Sequence, residues 1–198
     1  LLTKNTIIIN GKKNVDQEIT DYIVQRPNTL LLGIPFSLYF HNLGNKNYET
    51  DFDTWKEAKP GAYNFTTNVF SEKQTRRMRN FKFNMHQWFL NSGEAPLIYD
   101  KEKTNNTIEN LEIHYYNEGY FNTKVTSSIK KLKNRKAAVS YHIETGKVFT
   151  IDSISNDIKS PVLDSIYQAK KEASLVKFGE PFRLATFIDE QNRINELF

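Results

Sequence analysis

Apolar positions open the chain as a β-branched run, Thr6-Ile7-Ile8-Ile9, closed by Asn10-Gly11, which predicts a buried strand ending in a turn. Asn14 and Gln17 follow with capping-box spacing, and Val15, Ile19, Tyr22 and Ile23 recur at helical intervals until Pro27. A helix is therefore expected over residues 14–25. From residue 28 to 92 the period weakens: a dense apolar piece, Leu30-Leu31-Leu32-Gly33-Ile34-Pro35-Phe36, leads into an Asn, Gly and Tyr-rich stretch. This segment reads as an insertion. Inside it, residues 71–90 look helical, with a Ser71/Gln74 capping box. Met78, Phe81, Met85, Trp88 and Phe89 share one side of that helix, a stripe of the kind that normally faces a core.

Asp100 is placed to cap a further helix, in which Thr104, Ile108, Leu111 and Tyr115 step by four, three and four residues before Gly119 ends it. A hairpin comes next, residues 121–132 and 136–144, where Val139, Tyr141 and Ile143 alternate with Ala138, Ser140 and His142 across a polar turn at Asn134-Arg135. Gly146 closes the unit. The pattern then restarts: residues 149–156 echo the opening strand, and Ser160-Pro161 starts a helix with Val162, Ile166, Ala169 and Ala173 at helical spacing. Gly179-Glu180-Pro181 parallels Gly93-Glu94-Ala95-Pro96, and Ile194 and Phe198 repeat the four-residue step of Leu111 and Tyr115. Residues 1–146 thus form one unit with an insertion at 28–92, and residues 147–198 the first strand and two helices of a second.

With 198 residues, two small modules with separate cores fit the length. Only 38% of residues are apolar but 13% are aromatic, so apolar surface is concentrated in few large side chains, as in a folded domain. No apolar run is long enough to span a bilayer as a helix. The chain opens at Leu1 and already reads as strand, so a signal peptide or lipid anchor is expected to lie outside it. Cysteine is absent, which removes thiolate chemistry and leaves the compartment open. The four histidines, His41, His86, His114 and His142, fall in different elements without metal-ligand spacing. No Gly-x-Ser-x-Gly elbow or Gly-rich phosphate loop occurs, and Glu49, Asp51 and Asp53 lie in what reads as a solvated loop. Enzyme activity, metals and cofactors are not expected.

The helix end Tyr115-Tyr116-Asn117-Glu118-Gly119-Tyr120-Phe121, then Val125, then Val139-Ser140-Tyr141-His142-Ile143-Glu144-Thr145-Gly146 and an Ile-rich strand resemble the POTRA modules of the BamA and TamA family of outer-membrane β-barrel assembly proteins. The resemblance covers residues 1–24 and 93–198; the insertion departs from the general pattern. Leu31-Leu32-Gly33-Ile34-Pro35 and Gly93-Glu94-Ala95-Pro96-Leu97-Ile98 look most like the TamA-like TamL proteins of Bacteroidota. The resemblance implies an α+β fold of tandem POTRA modules (β-α-α-β-β, a three-stranded mixed sheet backed by two helices), the second truncated. It makes Gly119, Tyr120, Tyr141 and Gly146 the module-defining residues. It also makes residues 121–132 an edge strand on which Val125, Ser127, Ser128, Ile129 and Lys130 would receive an extended peptide by strand addition.

The role implied is that of a periplasmic, outer-membrane-attached, chaperone-like arm. Its partners would be unfolded β-barrel proteins and assembly factors of the TamB-like or BAM accessory kind, and the protein's own C-terminal barrel would lie outside this chain. A different class of function rests on the net charge of +4 and the basic-aromatic segment 71–90, where Arg76, Arg77 and Arg79 precede Phe81 and Phe83: a nucleic-acid-binding module. Steep salt dependence would mark that alternative. The insertion's aromatics either face a partner or pack as an extra layer; burial of Trp55, Trp88, Phe36 and Phe40 would favour the layer.

Overall fold

The opening strand runs further than its β-branched stretch: β1 spans Leu2–Ile9 in a computed structural model that describes residues 1–14 and 16–198. Asn10 and Gly11 both adopt positive φ, 49° and 79°, the conformation that folds a two-residue hairpin with the right twist. The chain therefore turns back as β2, Lys12–Asn14, antiparallel to β1. Two longer strands, β3 (Lys124–Leu132) and β4 (Lys136–Glu144), pair antiparallel around Asn134 and Arg135, again both at positive φ. The strand order is β2-β1-β4-β3. The Asn10 N–H donates to the Ile143 carbonyl at 2.9 Å, so the C-terminal ends of β1 and β4 lie side by side and these neighbours run parallel. The sheet is mixed, as expected, with the opening strand beside the 136–144 strand; the added β2 makes it four-stranded.

The chain folds as two units, one of residues 1–3 and 27–98, the other of residues 4–26 and 99–198. In the second unit one face of the sheet packs on α5, Lys101–Asn117. Asp100 caps it as predicted, its carboxylate accepting from the Glu102 and Lys103 N–H groups. Leu111 and Tyr115 on the helix meet Ile7, Val125, Val139, Tyr141 and Ile143 on the strands in a buried core. Thr104 and Thr107 are fully buried too, and each returns its hydroxyl proton to a carbonyl one turn back, Asp100 and Lys103 at 2.9 Å. That satisfies the polar group that burial would otherwise penalise.

The helix expected over residues 14–25 is a correction. Only α1, Gln17–Thr20, forms, capped by Asp16 instead of Asn14; Val15 lies outside the described residues. Asn14 is committed to β2, and its side chain accepts from the Asp16 N–H at 2.6 Å. The Tyr22 and Ile23 N–H groups still close local turns onto Ile19 and Thr20, but from Val24 the chain is held from outside: the Val24 N–H donates to Thr107 Oγ1, the Gln25 carbonyl accepts from Asn5, and the Gln25 side chain accepts from the Asp100 N–H. These bonds replace a helical ladder, and Pro27 forbids its continuation.

In the first unit the aperiodic stretch proves helical: α2 (Phe36–Leu43), α3 (Tyr48–Ala58) and α4 (Pro60–Ser92). Glu49, Asp51 and Asp53 lie on α3, not in a loop. The Ser71/Gln74 box marks a break inside α4. Ser71 has φ 59° and ψ 155°, and its hydroxyl accepts from the Gln74 N–H at 3.4 Å. The core reading of the α4 stripe is overturned, since Met78, Phe81, Met85 and Trp88 are exposed. The packed face is the one carrying Thr75, Arg79, His86 and Leu90, with Arg79 over the Phe52 ring and His86 on Tyr48. Aromatic stepping alone cannot tell an inward stripe from an outward one.

After Gly146 the chain leaves the sheet. Residues 149–151 lie antiparallel to 179–182 through the bonds Ile151 N–H to Glu180 O and Phe182 N–H to Phe149 O, both 2.9 Å. Helices α6 (Pro161–Ala169) and α7 (Leu184–Leu197) follow, the latter carrying Glu190, 7% exposed, in a network with Arg193, Ser174 and the Leu175 N–H.

Candidate interaction edge

β3 is an edge strand of nine residues without proline, and among the described residues its only strand neighbour is β4. Which of its amides face outward follows from one bond. The Val125 N–H donates to Glu112 Oε1 at 3.2 Å, so it turns away from β4 and the Val125↔Ile143 pair is a non-hydrogen-bonded one. Antiparallel ladders alternate. Ser127, Ile129 and Lys131 therefore also turn their N–H and C=O groups outward, while Thr126, Ser128 and Lys130 bond to His142, Ser140 and Ala138 in the observed register. Among the five residues read as the receiving edge, Ser127 and Ile129 present backbone, Val125 is occupied by Glu112, and Ser128 and Lys130 hold the strand to the module.

Side chains alternate as well. Val125 is buried on the α5 face, Ser127 half-buried, and Ile129 exposed toward the hairpin tip. On the other face Ser128 Oγ lies 3.1 Å from His142 Nε2. The tip is basic, with Lys130, Lys131, Lys133, Arg135 and Lys136 within seven residues, which keeps a bare edge soluble.

The residues read as module-defining sit around this edge. Gly119, at φ 85°, ends α5 in a Schellman motif: the Tyr120 N–H reaches the Tyr115 carbonyl at 2.9 Å and the Gly119 N–H reaches Tyr116 at 3.1 Å. The Tyr115 and Tyr120 rings meet edge-on at 5.8 Å, supplying the hydrophobic contact of that motif. A Cβ at Gly119 would also lie 2.6 Å from the Phe182 carbonyl oxygen. Phe121 then packs on Phe149 and Phe182, with ring centroids 5.1 and 5.0 Å away. Tyr141 is fully buried, and burial pushes its phenol pKa up, partly opposed by its bonds to Thr107 and Thr104. Gly146, φ 69°, turns the chain out of β4 beside Thr145, which is clasped by the Asn10 side chain through both a donated and an accepted bond.

The histidines are used structurally: His41 Nδ1 lies 3.1 Å from the Leu90 carbonyl, His86 accepts from the Asn45 N–H, His114 stacks on Tyr22, and His142 meets Ser128. Among the described residues no group of three His, Asp or Glu could hold a metal. Of the basic run on α4, Arg76 pairs with Glu72 and Arg79 with Glu49. No described helix is long and apolar enough to cross a membrane. Sequence reasoning missed Glu112, which has no signature beyond lying three residues before Tyr115 on the same helix.

A family model, POTRA, described as surface antigen variable number repeat, matches residues 61–146. The match takes in α5, β3 and β4 and ends at Gly146; it begins within the stretch read as an insertion. The mixed α+β architecture agrees with a POTRA-type fold. No curated protein and no solved structure matches the chain. POTRA domains are interaction modules, found in periplasmic regions of outer-membrane proteins, that bind partners in assembly and translocation machinery.

Proposed function

We propose that the second unit is a receiving module that captures extended polypeptide by strand addition along β3, in a periplasmic arm of an outer-membrane protein assembly or translocation machine of the BamA and TamA kind, nearest to TamL. The guests are unfolded β-barrel chains and envelope assembly partners. The observation that carries this is the outward phase of Ser127, Ile129 and Lys131 on a long, proline-free edge. Backbone bonds of this kind accept many sequences, as a handler of varied barrel strands requires. Residues 147–198 are taken as the start of a second module, supported by their order of extended segment, α6 and α7. The nucleic-acid alternative is weakened by the ion pairs that engage Arg76 and Arg79.

The test is a pair of prolines. Ser127→Pro removes an outward amide and leaves the β3–β4 ladder whole, so an unfolded barrel precursor should crosslink to β3 about three- to tenfold less while the module stays folded. Ser128→Pro removes a ladder bond to Ser140 and should destabilise the hairpin itself. Undiminished crosslinking in Ser127→Pro, or crosslinks confined to residues 28–92, defeats the strand-addition reading. Binding should also change little between low and high salt, whereas a nucleic-acid ligand would be released.

A further inference from the structure

The first unit leaves many large apolar side chains in water, and one group of them lies on a hairpin tip, on α2 and on the C-terminal part of α4. Leu32 and Gly33 form the tip of a two-residue hairpin, φ 51° and 78°, closed by reciprocal bonds between Leu31 and Ile34. Leu32 is 92% exposed, and Leu30 and Leu31 beside it are exposed too. A turn of this geometry ordinarily carries Asn or Gly. Here it holds leucines out from the surface.

This tip is fixed to the helices of the same unit. The Thr29 N–H donates to the Glu94 carboxylate at 2.8 Å, and the Glu94 N–H donates to the Ser37 carbonyl at 3.0 Å. Gly93 approaches the backbone of His41 so closely that no Cβ fits. The hairpin tip, α2 and the C-terminal end of α4 are thereby held together. On α2, Phe36, Tyr39, Phe40 and Leu43 are all exposed, at the i, i+3, i+4, i+7 spacing that would normally be a buried face. Phe40 joins them to Trp88 of α4, 57% exposed, with ring centroids 6.3 Å apart. Phe81 and Met85 continue the ridge along α4.

Charge decides what such a surface suits. Residues 28–48 and 73–93 contain no carboxylate, whereas Lys46, Lys73, Arg77 and Lys82 are exposed there. Among the described residues no ion pair uses these four. Glu94, adjoining this region, is turned inward, its pKa lowered by the hydroxyl and N–H of Thr29. The patch is an exposed aliphatic hairpin tip and an aromatic ridge whose own segments carry only basic charge, while α3 brings carboxylates close, Asp51 sharing a pocket with Lys82. Leucines held out at a hairpin tip, with exposed lysines and arginines in the same unit, suit seating among acyl chains beneath anionic headgroups. We infer that this end of the first unit docks on an anionic lipid bilayer, Leu31, Leu32 and Trp88 entering the headgroup–acyl boundary and Lys46, Arg77 and Lys82 meeting lipid phosphates.

The test uses the 198-residue chain carrying Trp55→Phe, which leaves Trp88 as its single tryptophan. It is mixed with phosphatidylcholine vesicles containing about a third phosphatidylglycerol, with brominated acyl chains as quenchers. Trp88 emission should be quenched and the chain should float with the vesicles. Leu31→Gln combined with Leu32→Asn should lower partitioning about tenfold or more, with the circular dichroism unchanged because both side chains face solvent and Asn accepts positive φ. Vesicles lacking phosphatidylglycerol should bind weakly. Absence of quenching, equal binding to neutral vesicles, an unaffected Leu31/Leu32 variant, or a Trp88 shift produced by envelope proteins but not by lipid would each overturn the inference.

Discussion

Replacing Gly119 by alanine separates two costs that usually come together. The first is conformational: at φ 85° an L-residue loses about 1–2 kcal/mol relative to glycine. The second is collision, because the new Cβ would sit 2.6 Å from the Phe182 carbonyl oxygen and 3.3 Å from the Phe182 Cβ. Relief requires the 179–182 segment to move, straining the Phe182-to-Phe149 backbone bond and the Phe121 ring stack. Together these should cost on the order of 2–4 kcal/mol. Gly11 is the internal control, since it has nearly the same φ, 79°, and nothing within 4 Å of its ideal Cβ. Gly11→Ala should show the conformational cost alone. Both tryptophans lie in the first unit, so fluorescence would not follow this change. Native-state hydrogen exchange of the amides of Leu111 and Tyr141 would. If Gly119→Ala lowers their protection no more than Gly11→Ala does, the close approach of Phe182 contributes nothing and the argument fails.

Glu190 should make the second unit sensitive to acid. The Arg193 guanidinium, with the Leu175 N–H and Ser174 hydroxyl, holds its carboxyl down at about 2 from 4.5, against the opposing effect of burial. The folded pKa is depressed, so the stabilisation is fully present above about 4.5 and is lost as pH falls toward 2, on the order of 2–3 kcal/mol. Glu190→Gln should flatten the stability–pH curve across that window; an unaltered slope would refute the assignment. Glu112→Ala should free the Val125 N–H, lengthening the edge by one outward residue and raising guest crosslinking at Val125. Weaker crosslinking there, with the module folded, would mean Glu112 helps hold guests.

Much of the second unit was legible in the sequence because its signals are local and chemically specific. Asp100 as cap, Gly119 as left-handed exit, Asn134-Arg135 as turn and the Val139, Tyr141, Ile143 alternation each name one conformation. The Asn10-Gly11 hairpin carries an equally strong signal, but the capping pattern at Asn14 competes with it for the residues that follow. The end of the helix before Val24 cannot be read from local pattern, since the Val24 N–H, the Gln25 carbonyl and the Gln25 side chain are satisfied by Thr107, Asn5 and Asp100, partners far away in sequence. The first unit was misread for a different reason. Its helices expose apolar faces and bury Thr75 and His41, reversing the polarity on which periodic reading depends. Within the interaction edge, the strand could be located in advance but its phase could not. That depended on the single bond from Val125 to Glu112.

That bond also gives the edge a direction. One end of β3 is stoppered by a carboxylate, and the other runs out to a basic hairpin tip with nothing across it. If β3 receives a guest along Ser127, Ile129 and Lys131, lengthening the pairing past Val125 would first require evicting Glu112. On the proposed reading, such asymmetry would let a sequence-tolerant edge set where a guest's pairing begins.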